Sequence, residues 1–232
     1  MKVVGGEMVY IPEGPFYAGD TTSTADLQQG SADTDPWYID SDSTIQVNNA
    51  ASNSFYYTSD GNTSEFATGA VFTIPKYFPT GYDAFYCMKY EVSEGLWLDF
   101  FNSLNSYKTS YDITAASGKN SDSVVKRNTL SWSSGDASGS RPDRAMNYLG
   151  WFDLSGILDW LSLRPMTELE YEKIARGDST HVAGEYAWGS ASITAGTTFS
   201  GSPEDGNITF TTANANAVYN ITTFSQGDDV MG

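Results

Sequence analysis

The sequence predicts an α+β domain with little regular secondary structure. Three observations carry this. Strand-like runs of β-branched and aromatic residues fill the N-terminal portion, apolar residues recur at helical spacing in about three later segments, and long polar stretches separate them. Helices kept apart from strands argue against a doubly wound sheet, which needs regular alternation of the two.

Met8, Val9, Tyr10 and Ile11 precede Pro12-Glu13-Gly14, after which Phe16, Tyr17 and Ala18 resume the apolar run, so the opening reads as a hairpin. From about residue 21 to 70 the chain fills with Ser, Thr, Asp, Asn and Gly, punctuated by Trp37, Tyr38, Phe55, Tyr56 and Tyr57. This reads as a long surface insertion with short strands pinned by those rings, and its length points to contact or assembly rather than plain connection. Residues 70–93 are strand-like again, broken by Pro75, Pro79 and Gly81.

After Ser93, an N-cap candidate, Leu96, Trp97, Phe100, Phe101 and Leu104 recur at helical spacing. Residues 106–139 are turn-rich, with one short strand expected around Leu130 and Trp132. A second helix is predicted over 151–162, because Leu154, Ile157, Leu158 and Leu161 fall at i, i+3, i+4 and i+7. The third begins at Thr167-Glu168-Leu169-Glu170, a capping box, and should stop at Gly177. Glu168, Glu170 and Glu172 lie in its first turns, where the helix dipole favours negative charge. Beyond Ser190 the expectation is irregular β structure.

The 232 residues suffice for a sizeable core, and a single domain over 1–232 is expected. Charge is one-sided: 29 acidic against 12 basic residues leaves 29 − 12 = 17 net negative charges. Nucleic acid and anionic membrane surfaces would be repelled at long range, so the charge either favours cations or neutral polymers as partners or serves only to keep the protein soluble. No apolar run is long enough to span a membrane. The opening residues do not read as a secretory signal, so the protein is either intracellular or has lost a leader, and polar residues that are Ser, Thr, Asn and Gly rather than Lys and Glu lean to the second, an extracellular or cell-surface setting.

The single cysteine, Cys87, excludes an intrachain disulfide and sits among aromatic residues, where a buried thiol is expected. One histidine, His181, cannot gather the ligands of a zinc centre, and no Gly-x-Ser-x-Gly elbow accompanies it. The glycines show neither dinucleotide nor Walker spacing. Asp33, Asp35, Asp40 and Asp42, and Glu204, Asp205 and Asn207, are either oxygen ligands for calcium or solvated turn residues; no EF-hand spacing chooses between them. Asn62, Asn207 and Asn220 fit the glycosylation triplet.

Four stretches, in order, resemble the formylglycine-generating-enzyme or sulfatase-modifying-factor family. They are MVYIPEGPFYAGD, YCMKYEVSEGLWLDFFNSL, RAMNYLGWFDLSGILDWLSLRPMTELEYEKIARG and GEYAWGS. The first is similar to the family's opening hairpin, and the second to its strand into the first helix, with Tyr90-Glu91-Val92 at the junction. The third matches the Asn-x-x-x-Trp helix start, the Arg-Pro-x-Thr-Glu turn and the helix ending in Ala-Arg-Gly. The fourth matches the Tyr-x-Trp-Gly tetrad that follows.

The resemblance implies a C-type-lectin-like fold. In the family's oxidases the chemistry rests on a pair of C-terminal cysteines that bind copper, and Cys87 matches neither position. The family's Gly-Asn-x-Trp-Glu-Trp and Arg-Gly-Gly-Ser-Trp signatures do not occur before Gly232. Related ergothioneine-synthesis enzymes hold iron on three histidines, which His181 alone cannot supply. The expectation is therefore a non-catalytic module with no catalytic residues and no required cofactor, calcium apart. It would bind a protein or glycan, or build a homo-oligomer or filament, with Trp37, Tyr38, Phe55, Tyr56 and Tyr57 as contact rings. The alternative is a C-terminally truncated oxidase.

Overall fold

The structure is a computed structural model that describes residues 5–19, 27–29, 36–47, 55–57, 71–111, 128–178, 182–186, 188–196, 198–200 and 209–216. Eight short strands come first: β1 (Met8–Ile11), β2 (Phe16–Ala18), β3 (Leu27–Gln29), β4 (Trp37–Ile39), β5 (Ile45–Val47), β6 (Phe55–Tyr57), β7 (Phe72–Ile74) and β8 (Phe85–Met88). Helix α1 (Glu94–Ser103) runs into a 3-10 helix over Asn105–Ser110, and β9 (Leu130–Ser131) and β10 (Ser138–Gly139) follow. Then come α2 (Trp151–Trp160), α3 (Glu168–Arg176), β11 (Phe199–Ser200) and β12 (Thr209–Phe210). The chain is thus α+β, built from small ribbons and a few short helices. No helix among the described residues is long and apolar enough to cross a membrane.

The described residues fall into two compact units, one drawn from Met8–Cys87 and Met166–Ser192, the other from Met1–Glu7, Met88–Pro165 and Ile193–Gly232. In the first, β2 pairs antiparallel with β4, and β3-β6-β5-β7 form a four-stranded sheet. Phe16, Ala18, Ile39, Ile45, Val47, Phe55 and Leu169 make its core.

Two expectations are corrected here. The opening strands are not a hairpin, because β1 pairs with β8 and β2 with β4. Pro15 offers no N–H to a ladder, the Gly14 N–H donates to the Tyr82 carbonyl at 2.9 Å, and the Pro12 and Gly14 carbonyls accept from Lys173. The turn's polar groups are consumed by other elements. Nor is the stretch over 21–70 only surface, since it delivers Ile39, Ile45, Val47 and Phe55 to the core. Its three-residue strands alternate inward and outward, as in Ile45-Gln46-Val47, too briefly to stand out from the polar background.

In the second unit α1 starts where the Ser93 hydroxyl accepts from the Leu96 N–H at 3.1 Å. It buries Trp97, Phe100 and Phe101 against Leu130 and Ile157. Gly95 lies so close to Pro142 that a Cβ would meet its carbonyl oxygen at 2.9 Å. At the start of α2 the Asp153 carboxylate accepts from the Gly150 N–H at 2.9 Å. Asn102 bonds Ala137 reciprocally, accepting from its N–H at 2.8 Å and donating to its carbonyl at 3.0 Å, which holds the β9–β10 turn to α1. Cys87, expected to be buried, is half-buried in β8.

Candidate functional site

Helix α3 begins at its capping box. The Thr167 hydroxyl accepts from the Glu170 N–H at 3.1 Å, and the Glu170 carboxylate accepts from the Thr167 N–H at 2.9 Å. The same hydroxyl donates to the Pro79 carbonyl at 2.7 Å, which fixes where the helix starts. One turn on, Leu169 and Lys173 share the inward face.

Lys173 is only 4% exposed. Its ammonium lies 2.6 Å from the Gly81 carbonyl oxygen, 2.8 Å from that of Pro12, 3.1 Å from Gly14 and 3.3 Å from Tyr82, and 5.5 Å from the centre of the Phe16 ring. Four acceptors surround three donors, so a buried charge is matched by carbonyl dipoles. Burial pushes the amine below its ordinary 10.5, and the carboxylates of Asp178, Asp83 and Glu13 pull it back up. Gly81 is required at this cage: its φ is +83°, and a Cβ would come within 3.1 Å of the Leu169 carbonyl oxygen and 3.2 Å of the Phe16 ring.

Beside the cage, Tyr17 of β2 stands directly opposite Tyr38 of β4. Their neighbours Phe16, Ala18 and Ile39 point into the core, so alternation turns both tyrosines outward. The ring centres are 4.7 Å apart with planes at 39°, and Tyr38 remains 45% exposed. They wall a groove of about 490 Å³ whose other lining includes Pro12, Glu13, Lys173 and Asp178. Glu13 and Asp178 are exposed, and among the described residues neither forms an ion pair or hydrogen bond. The Lys173 nitrogen has no lone pair to offer while its donors hold the carbonyls.

A second groove, of about 470 Å³, lies in the other unit beside Glu7, Tyr90, Glu91, Ser93, Leu96 and Asp143. Its charges are largely answered: Glu7 pairs with Lys89 at 2.7 Å, and Asp143 with Arg141 at 3.0 Å, which holds the Asp143 carboxyl below its usual range. The tyrosine groove, whose rim carboxylates form no ion pair among the described residues, is the candidate site.

Of the rings singled out from sequence, Tyr38 lines this groove. Trp37, on the opposite face of β4, meets Phe55 edge-on at 5.7 Å, and Phe55 is a core residue, 7% exposed, with no contact surface to offer. Tyr56 and Tyr57 lie on β6, but their side chains fall outside the described residues. The Asp40 carboxylate accepts from the Ser41 hydroxyl at 3.2 Å, and Asp42 lies 3.8 Å from Lys76. Among the described residues no three His, Cys, Asp or Glu side chains gather as metal ligands. Asp33, Asp35, Asn62, His181, Glu204, Asp205, Asn207 and Asn220 lie outside the described residues.

Sequence reasoning missed Glu13, Tyr17, Lys173 and Asp178. One signal was present: a lysine four residues after Leu169, on the apolar side of an amphipathic helix, marks a cation that must find buried acceptors. Comparison with protein-family models, curated proteins and solved structures finds no match to this chain.

Proposed function

We propose that this chain is a C-type-lectin-like domain of the formylglycine-generating-enzyme type that serves as a non-catalytic binding or assembly module outside the cell or at its surface. The order of the four sequence motifs supports the fold reading, and the α+β architecture agrees with it at the level of class. The observation that carries the function is the tyrosine groove. A half-exposed aromatic pair on a two-stranded ribbon, with carboxylates at the rim and the buried Lys173 amine held by carbonyls, suits the holding of a ligand. Tyrosine supplies large contact area at small entropic cost.

The test is to immobilise the full chain and present neutral oligosaccharides, cationic peptides and anionic peptides, beside a Tyr38→Ala variant, while sedimentation follows self-association. At least one class should bind, or the chain should associate with itself, and Tyr38→Ala should weaken ligand binding by about tenfold, the worth of one well-placed ring. No binding in any class together with a strict monomer would overturn the reading, as would copper-dependent oxidation of a cysteine peptide by this chain.

A further inference from the structure

Resting on that reading, we infer that the tyrosine groove takes an arginine side chain presented by a partner polypeptide, with its guanidinium stacked on the exposed Tyr38 ring and its charge answered by Glu13 and Asp178. Charge complementarity picks the occupant. Among the described residues that line the groove, two carboxylates, Glu13 and Asp178, face one ammonium, that of Lys173, so the count is 2 − 1 = 1 negative charge in excess. The Arg176 guanidinium donates to the Gly19 carbonyl and the Glu172 carboxylate accepts from the Gly19 N–H at 2.9 Å, and neither side chain lines the groove. Lys173 cannot swing out to fill the deficit without abandoning four carbonyls.

The walls point the same way. The exposed face of Tyr38 carries the negative end of the ring quadrupole, which attracts a planar, weakly hydrated guanidinium more strongly than a compact ammonium. A groove of about 490 Å³ leaves room for the side chain and part of its backbone. The chain's 17 net negative charges would draw a basic segment in from a distance and repel a phosphorylated or acidic one.

The experiment is an amide-resolved NMR titration of the full chain with a short Gly/Ser peptide bearing two arginines. The arms are the same peptide with citrulline in place of arginine, and a neutral oligosaccharide. Expected are shifts confined to residues around 12–17, 38 and 173–178, binding about tenfold weaker in Tyr38→Ala and in the Glu13→Gln/Asp178→Asn double variant, and loss of affinity with added salt. The three substituted positions are solvent-exposed, and preserved amide spectra show each variant folded. Equal binding of the citrulline peptide, or shifts elsewhere, overturns the arginine assignment. If the oligosaccharide alone moves the groove signals, the assignment fails while the binding-module reading stands. If no arm moves any signal and the chain is a strict monomer, both fall.

Discussion

Glu94 is the residue whose chemistry departs furthest from its surroundings. It is fully buried at the start of α1, accepts from the Thr129 N–H at 3.0 Å and from the Thr129 hydroxyl, and that hydroxyl in turn accepts from the Ser140 and Arg141 N–H groups, each at 3.1 Å. Through Thr129 the carboxylate thereby ties α1 to the segments that enter β9 and leave β10. Burial pushes its carboxyl above the ordinary 4.5; the Thr129 bonds and the charges of Arg144 and Arg141 offset this only in part. A raised folded value means the native state holds this proton more tightly than the unfolded chain does. The associated stability is complete below 4.5 and is lost as pH rises through the raised value. Glu94→Gln should abolish that part of the pH dependence and, near neutral pH, cost roughly 1–3 kcal/mol, because the amide N–H₂ faces a hydroxyl already accepting twice. Urea unfolding of both proteins from acid to neutral pH measures it, and unchanged slopes would refute the assignment.

At the scale of elements, α3 links local sequence to the groove. Thr167 both caps the helix and donates to Pro79, so Thr167→Ala should cost about 2 kcal/mol, the upper end for an N-cap, while Thr167→Ser should keep most of it. Denaturant midpoints decide, and equal losses in both variants would show that the hydroxyl is not what matters. The helices were legible because their signals are local. Ser93, the Thr167–Glu170 box and Gly177 act within one turn, and α1, α2 and α3 appear within a few residues of where spacing places them. The ribbons were not, because β1 with β8 and β2 with β4 are choices among distant partners that strands of three or four residues do not encode. Tyr38 could be named from its exposed, polar setting. Its partner Tyr17, and a lysine that reaches residues 12, 14, 81 and 82, could be placed only once those loops converged.

For the whole molecule, the question is how a chain with 17 net negative charges could build an assembly at all. Its exposed surface carries adjacent large rings, Tyr77 at 91% beside Phe78 at 40% and Trp151 at 68% beside Phe152 at 58%, which favour burial against a neighbour, while like charge drives copies apart. Ionic strength weighs these terms differently. At about 0.01 M salt the screening length is about 30 Å and repulsion acts across the whole protein; near 0.15 M it falls to about 8 Å and only charges in contact still repel. Burial of rings is not weakened by simple salt and is strengthened by sulfate. Self-association should therefore increase with sodium chloride and more steeply with sodium sulfate, read as a rising sedimentation coefficient at fixed protein concentration. Arginine binding in the tyrosine groove should weaken over the same range, so the two modes of contact separate by the sign of their salt dependence. Association that declined with salt would mean that copies meet through opposite charges, which 12 basic residues against 29 acidic ones could supply only at a small, specific patch. A monomer under every condition would remove the assembly form of the proposal and leave ligand binding as the function of the groove.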